Sequence, residues 1–144
     1  MAGEAVPVTL ELPVPVRTDL VEHAREGAPE EVVGVLAGER GEDRSMVERS
    51  FRAENAADAP TTRYEIAPAE ELELLERIDG TGLDVVGFYH SHPRGPLEPS
   101  EVDARLAAWP GYSYLVVSLG GDEPTVGSWR WTGDEFREES VEAP

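Results

Sequence analysis

The sequence predicts an α/β (α+β) architecture, a mixed β-sheet flanked by helices, and three observations carry that expectation. Short β-branched runs alternate with segments of helical period. Strand patterns stand on both sides of each helical one, so the sheet is expected to be mixed. The length, 144 residues, suits one hydrophobic core without disulfides. A single domain over residues 1–144 follows, with loosely held tails at about 1–7 and 138–144. A pure helical bundle or a β-barrel does not follow.

Residues 8–16 carry apolar side chains at every second position, interrupted by Pro13 and Pro15, which reads as an edge strand. Residues 18–26 read as a short helix, with Thr18 as N-cap and Gly27 as its stop. The β-branched run 31–38 reads as a buried strand. A strand over 45–53 leads into an Asn/Ala/Asp/Pro loop through Pro60, and 63–67 is short and β-like. A helix is expected over 68–78, with Pro68 in its first turn and Leu72, Leu75 and Ile78 on one face. Residues 83–89 form the strongest strand. Residues 100–109 read as a helix with Val102, Leu106 and Trp109 at core spacing, stopped by Pro110-Gly111. Strands over 112–119, 126–131 and 135–141 complete the sheet, with a turn at Gly120-Gly121-Asp122. Trp129 and Trp131 alternate around Arg130 and are expected to pack on one sheet face. His23, mid-helix, has no expected ligand role.

Charge narrows the function classes. Thirty acidic residues face twelve basic ones, for a net charge of −18. Every basic residue is arginine; lysine and cysteine are absent. Such a surface repels nucleic acid and anionic membranes, so neither is an expected partner. Self-repulsion also weakens the compact state unless concentrated salt screens it, which points to a halophilic host. Without cysteine there are no disulfides, thiolate metal sites or cysteine nucleophiles. No run is long enough to span a membrane and no secretory signal is visible, so a cytoplasmic protein is expected.

The strand over 83–89 runs directly into His90-Ser91-His92-Pro93. Histidines at i and i+2 on extended backbone point to one side, so both imidazoles can reach one ion. The following stretch, stiffened by Pro93, Pro96 and Pro99, leads to Ser100-Glu101-Val102-Asp103 at a helix start. Asp103 in the first turn could supply a third ligand. Two imidazoles and one carboxylate leave one tetrahedral position for water, as in catalytic zinc sites. Plainer readings exist: Ser100 and Asp103 could form only a capping box, and the histidines could be satisfied polar residues at a strand end. Three potential ligands around one proline-stiffened loop favour the metal. A hydrolytic site also needs a base, and Glu30 and Glu31 open a buried strand where a carboxylate is costly without a task. Only one of the two can point into a site.

His90, His92, Ser100 and Asp103 resemble the H-x-H-x7-S-x2-D signature of the JAMM (MPN+) metalloproteases. Pro29-Glu30-Glu31-Val32-Val33-Gly34 is similar to that family's glutamate motif and selects Glu31 over Glu30. The resemblance extends over about 18–131. It implies a cytidine deaminase-like JAMM/MPN fold and cleavage of the amide bond after the C-terminal Gly-Gly of ubiquitin-like proteins. It further implies Zn2+ held by His90, His92 and Asp103, with Glu31 as general acid/base and Ser100 helping to stabilise the oxyanion. The nearest resemblance, given the halophilic composition, is to archaeal enzymes that remove small ubiquitin-like, sulfur-carrier-type modifiers. The chain is too short for the long insertions of the eukaryotic deubiquitinases.

The substrate tail, with two glycines that offer no side chains, is expected to lie extended along residues 57–66. Other readings are a non-catalytic scaffold of the same fold, and processing of linear C-terminal extensions on sulfur-carrier proteins. A deaminase needs H-x-E with P-C-x-x-C, which a cysteine-free chain lacks. Oligomeric state is not legible in the sequence.

Overall fold

The structure is a computed structural model that describes residues 8–144, the side chain of Leu106 excepted. The tail expected over 1–7 and the core position expected for Leu106 lie outside the described residues. The elements run β1 (Thr9–Glu11), α1 (Val14–Gly27), β2 (Val33–Glu39), β3 (Arg44–Ala53) and α2 (Pro68–Thr81). They continue with β4 (Asp84–His92), α3 (Glu101–Leu106), β5 (Ser113–Ser118), β6 (Thr125–Trp131) and β7 (Phe136–Glu142). The sheet is mixed: β4 and β5 are parallel, while β2 pairs antiparallel with β3 and β4.

Closure is what the sequence did not suggest. The strand order β1-β3-β2-β4-β5-β6-β7 returns on itself, because β1 lies parallel to both β3 and β7. Residues 8–16 are therefore no edge strand. Only three of them are β, and the helix begins at Val14 with Pro15 in its first turn, where a missing N–H costs nothing. Thr18 is not the N-cap; its hydroxyl donates to the Val14 carbonyl at 3.0 Å. The helix does end at Gly27, where a Cβ would meet Val32 Cγ1 at 2.2 Å, so glycine there serves close packing. The C-terminal segment from 138 to 142 is likewise not a loose tail, since 138–139 pair with β6 and 140–142 with β1.

Two cores lie on opposite faces of the sheet. The inner one gathers Leu10, Leu36, Val47, Val86, Tyr89, Leu115 and Val117 with Leu20, Val21 and Ala24 of α1. The outer one joins Val33, Val35, Ala37, Phe51 and Phe88 to Leu74 and Ile78 of α2. Strand β2 feeds both faces, which is why its sequence is apolar throughout. In α2 the buried face is Leu74 and Ile78; Leu72 is 58% exposed, one helical step off the expected stripe. Gly82, with φ of 81°, stops α2 in the left-handed conformation.

Two further boundaries shift. Residues 63–67 form no strand; Arg63 N donates to Ala59 O at 3.1 Å, Ala56 N to Glu65 O at 2.8 Å and Glu71 N to Ala67 O at 2.9 Å. Helix α3 stops at Leu106, so Trp109 packs from the segment beyond it, edge-on to Phe88. Trp129 and Trp131 are both buried at alternate positions of β6, as expected, and Arg130 between them points into the closed sheet.

Candidate metal centre

Strand β4 extends through both histidines, so His90 and His92 leave the sheet on the same face as Phe88. Glu31 stands just before β2, next to that strand end. Its position is fixed by backbone bonds, Glu31 N to Pro60 O at 2.7 Å and Val32 N to Ser91 Oγ at 2.8 Å. Ser91, between the histidines, thus stitches β2 to β4 from the opposite face. Asp103 comes from α3. The capping box expected there exists: Ser100 Oγ accepts from Asp103 N at 3.0 Å, and Ser100 N donates to Asp103 Oδ2 at 2.8 Å. Cap and ligand are not alternatives, since the box aims the carboxylate at the histidines.

Ligand atoms of Glu31, His90, His92 and Asp103 lie within 4.8 Å of one another, and all four residues are buried. His90 Nε2 is 3.1 Å from Asp103 Oδ2 and 3.2 Å from His92 Nε2; His92 Nε2 is 3.0 Å from the same oxygen. Donors held at about 2.0–2.1 Å from one tetrahedral ion lie about 3.3 Å apart, so this triangle has the right size. Its chemistry fits as well. His92 Nδ1 donates to the Pro96 carbonyl at 2.8 Å, which leaves the lone pair on Nε2 facing an ionised carboxylate. Converging lone pairs call for a cation. This donor set of two imidazoles and a carboxylate suits a divalent metal of the zinc kind.

Burial lowers the pKa of His90, keeping its imidazole neutral. Burial also works to raise that of Asp103, but the two imidazoles beside it and the N–H of Ser100 outweigh it and hold the acid ionised. His92 shifts upward; burial opposes this, and the neighbouring Asp103 carboxylate and Pro96 carbonyl prevail. Glu31 is different. Burial pushes its pKa up to about 7, and Oε1 is buried with no hydrogen-bond partner. A carboxylate left unsatisfied beside a metal-type donor set is poised to exchange a proton.

A cleft of about 580 Å³ opens over the centre, lined among others by Glu31, Thr61, Thr62, His92, Pro96 and Ser100. The expected substrate edge over 57–66 is a loop and not a strand, and Thr61 and Thr62 are its contribution to the cleft. Two residues near the site escaped the sequence reading. Tyr64 stacks on His90 with ring centroids 4.3 Å apart, and Asn55 braces the loop that carries it. Neither is marked by a motif or a period in the sequence. His23 takes no part in the centre and lies 2.7 Å from the Tyr89 hydroxyl.

A family model described as prokaryotic homologs of the JAB domain matches residues 13–132. A curated protein of Haloferax volcanii, "Desampylase", is 45% identical over 92% of this chain and 94% of its own. The "CysO-cysteine peptidase" of Mycobacterium tuberculosis is 37% identical over 72% of this chain and 71% of its own. A solution structure of a Desulfitobacterium hafniense protein matches with a TM-score of 0.83 and 32% identity, covering 95% of this chain and 92% of that one.

Proposed function

The chain belongs to the prokaryotic homologs of the JAB domain and is a JAMM-type metalloprotease, and from that premise we propose a zinc isopeptidase that frees small archaeal ubiquitin-like modifiers from conjugates. The bond cut is the amide after the modifier's C-terminal Gly-Gly. The observation that carries the reading is the unpartnered Glu31 carboxylate facing a triangle of His90, His92 and Asp103 at the floor of an open cleft.

In this reading His90 Nε2, His92 Nε2 and Asp103 Oδ2 hold the metal. Bound zinc supplies Lewis acidity, making water a nucleophile near neutral pH and polarising a carbonyl oxygen. Glu31 Oε1 takes the proton from the attacking water and returns it to the leaving nitrogen, a task that suits a pKa of about 7. The Ser100 hydroxyl already accepts from Asp103 N, and its own proton remains for the oxygen of the tetrahedral carbon. The cleft holds the tail in extended form along Thr61 and Thr62. The family and the acidic composition support assay in concentrated salt and a cytoplasmic site of action; no helix among the described residues is long and apolar enough to cross a membrane.

The test is a modifier joined through its Gly-Gly terminus to a lysine side chain. Cleavage is expected with zinc, and none after chelation or in Glu31→Gln. A folded, zinc-loaded chain that leaves the conjugate intact overturns the reading. Similarity to the CysO-cysteine peptidase favours a second one, removal of linear C-terminal extensions from sulfur-carrier proteins. Comparing kcat/KM for the same modifier in isopeptide and in linear linkage ranks the two.

A further inference from the structure

The two histidines of the centre are oriented by different means. His92 is fixed by a hydrogen bond from Nδ1 to the Pro96 carbonyl at 2.8 Å, the usual outer partner of a metal-binding imidazole. His90 reaches Asp103 Oδ2 through Nε2 at 3.1 Å. Against its ring lies the face of Tyr64, 4.3 Å away and only 19° from parallel. Rotation of His90 about its last side-chain bond would swing Nε2 away from Asp103, and it would also drive the imidazole edge into the phenol.

Tyr64 sits in an irregular stretch, so something else must hold it. One amide does. Asn55 Nδ2 donates to the carbonyl of Arg63 at 3.0 Å, and Asn55 Oδ1 accepts from the backbone N–H of Glu65 at 3.1 Å. The residues on both sides of Tyr64 are therefore tied to a single side chain. That same Nδ2 donates to the Glu31 carbonyl at 2.9 Å. A loop without regular backbone pairing is thereby pinned at the one residue that touches a histidine, and pinned to the backbone of the base.

We propose that Tyr64 is a positioning residue for His90, that its ring face holds the imidazole in the plane that aims Nε2 at Asp103, and that Asn55 couples this ring to Glu31. The inference rests on the metal assignment made above, but concerns only how one ligand is aimed. The phenol oxygen has no part in it; the ring face does.

The experiment measures zinc affinity by chelator competition and the visible spectrum of the cobalt-substituted chain, in the parent, Tyr64→Phe, Tyr64→Leu and Asn55→Asp. Folding of each metal-free variant is checked by circular dichroism and thermal melting. Loss of an outer partner of a metal-binding histidine costs about 10–100-fold in affinity. Tyr64→Leu is expected to lose zinc affinity in that range, with an altered cobalt spectrum and a lower kcat at unchanged KM. Tyr64→Phe should match the parent. Asn55→Asp keeps the acceptor but loses every bond that Nδ2 donates, and should change the cobalt spectrum in the same direction with the ring still present. The proposal is overturned if Tyr64→Leu binds zinc and colours cobalt as the parent does, or if Tyr64→Phe fails as the leucine variant does. Should Tyr64→Leu not fold, an unchanged cobalt spectrum in Asn55→Asp overturns it alone. A parent that binds no zinc strikes the metal assignment instead, so the two failures are distinguishable.

Discussion

Arg130 and Glu139 are buried inside the closed sheet as thoroughly as Glu31 and Asp103 are buried beside it, yet the two clusters are bonded in opposite ways. Inside the sheet, Glu139 accepts from Ser128 Oγ at 2.7 Å and from Arg130 Nε at 2.8 Å. Arg130 donates its remaining nitrogens to Ser45 Oγ and the Glu42 carbonyl. Each charge has its opposite and each polar atom a partner. At the centre the reverse holds: three acceptors crowd one point and Glu31 Oε1 has no partner. The one other orphan among the described buried side chains, Ser113 Oγ, is a neutral hydroxyl and far cheaper to strand than a carboxylate. A closed network ties β3, β6 and β7 together; an open one waits for a cation and a proton.

That contrast can be broken or sharpened by experiment. Glu31→Gln should lower kcat about 10²–10⁴-fold, the usual contribution of a general base. Its folding stability should be equal or higher, because the amide removes a carboxylate whose pKa burial has raised. A urea midpoint well below the parent's would show that Glu31 is structural, and the contrast would fail. Arg130→Ala should do the opposite, losing about 3–5 kcal/mol of stability by stranding Glu139, while the folded fraction keeps the parent's zinc affinity. Replacing Arg130 by Met and Glu139 by Leu together should recover most of that loss, since both charges leave at once.

Zinc at a hundred times its Kd should raise stability by about 2.7 kcal/mol in the parent and in Arg130→Ala, and not in His92→Ala. Thermal melts with and without metal read this directly. The smallest effect belongs to His23, whose pKa is lowered to about 4 by burial and by the nearby Arg52 against the pull of Glu26. Its folded pKa lies below the unfolded value of about 6.5, so the unfolded chain binds the extra proton between those values. Stability should fall as pH drops from about 6.5 toward 4, and His23→Gln should flatten that slope. An unchanged slope would place the acid sensitivity elsewhere.

The centre was legible because its signals are local. Histidines two apart on a strand must share a face, and a serine three before an acid at a helix start must cap it. Those two facts bring four of the five expected residues together once the strand and helix are placed. Glu31 was legible only through its family motif, since spacing alone left Glu30 equal to it. Tyr64 and Asn55 could not be read, because stacking and amide bracing join positions through space and leave no period. The closure was hidden for the same reason: β1 is three residues long, and its prolines suggested an edge while they were starting a helix. The apolar stripe of α2 was misplaced because Leu72 and Leu74 are equally hydrophobic, and only the sheet surface beneath the helix selects between them.

The brevity of β1 has a consequence for how the molecule meets its neighbours. Strand edges with unpaired N–H and C=O groups are templates for another copy, and rings of strands have none. Here the ring is completed by Thr9, Leu10 and Glu11 alone, with Arg44 of β3 reaching across to Glu11 at 2.9 Å and to Glu142 of β7 at 3.3 Å. Those three residues mask β3 and β7 at once, two strands from distant parts of the chain. They cover 44–46 of β3 and 140–142 of β7, and over those stretches they act as a guard against pairing with another copy.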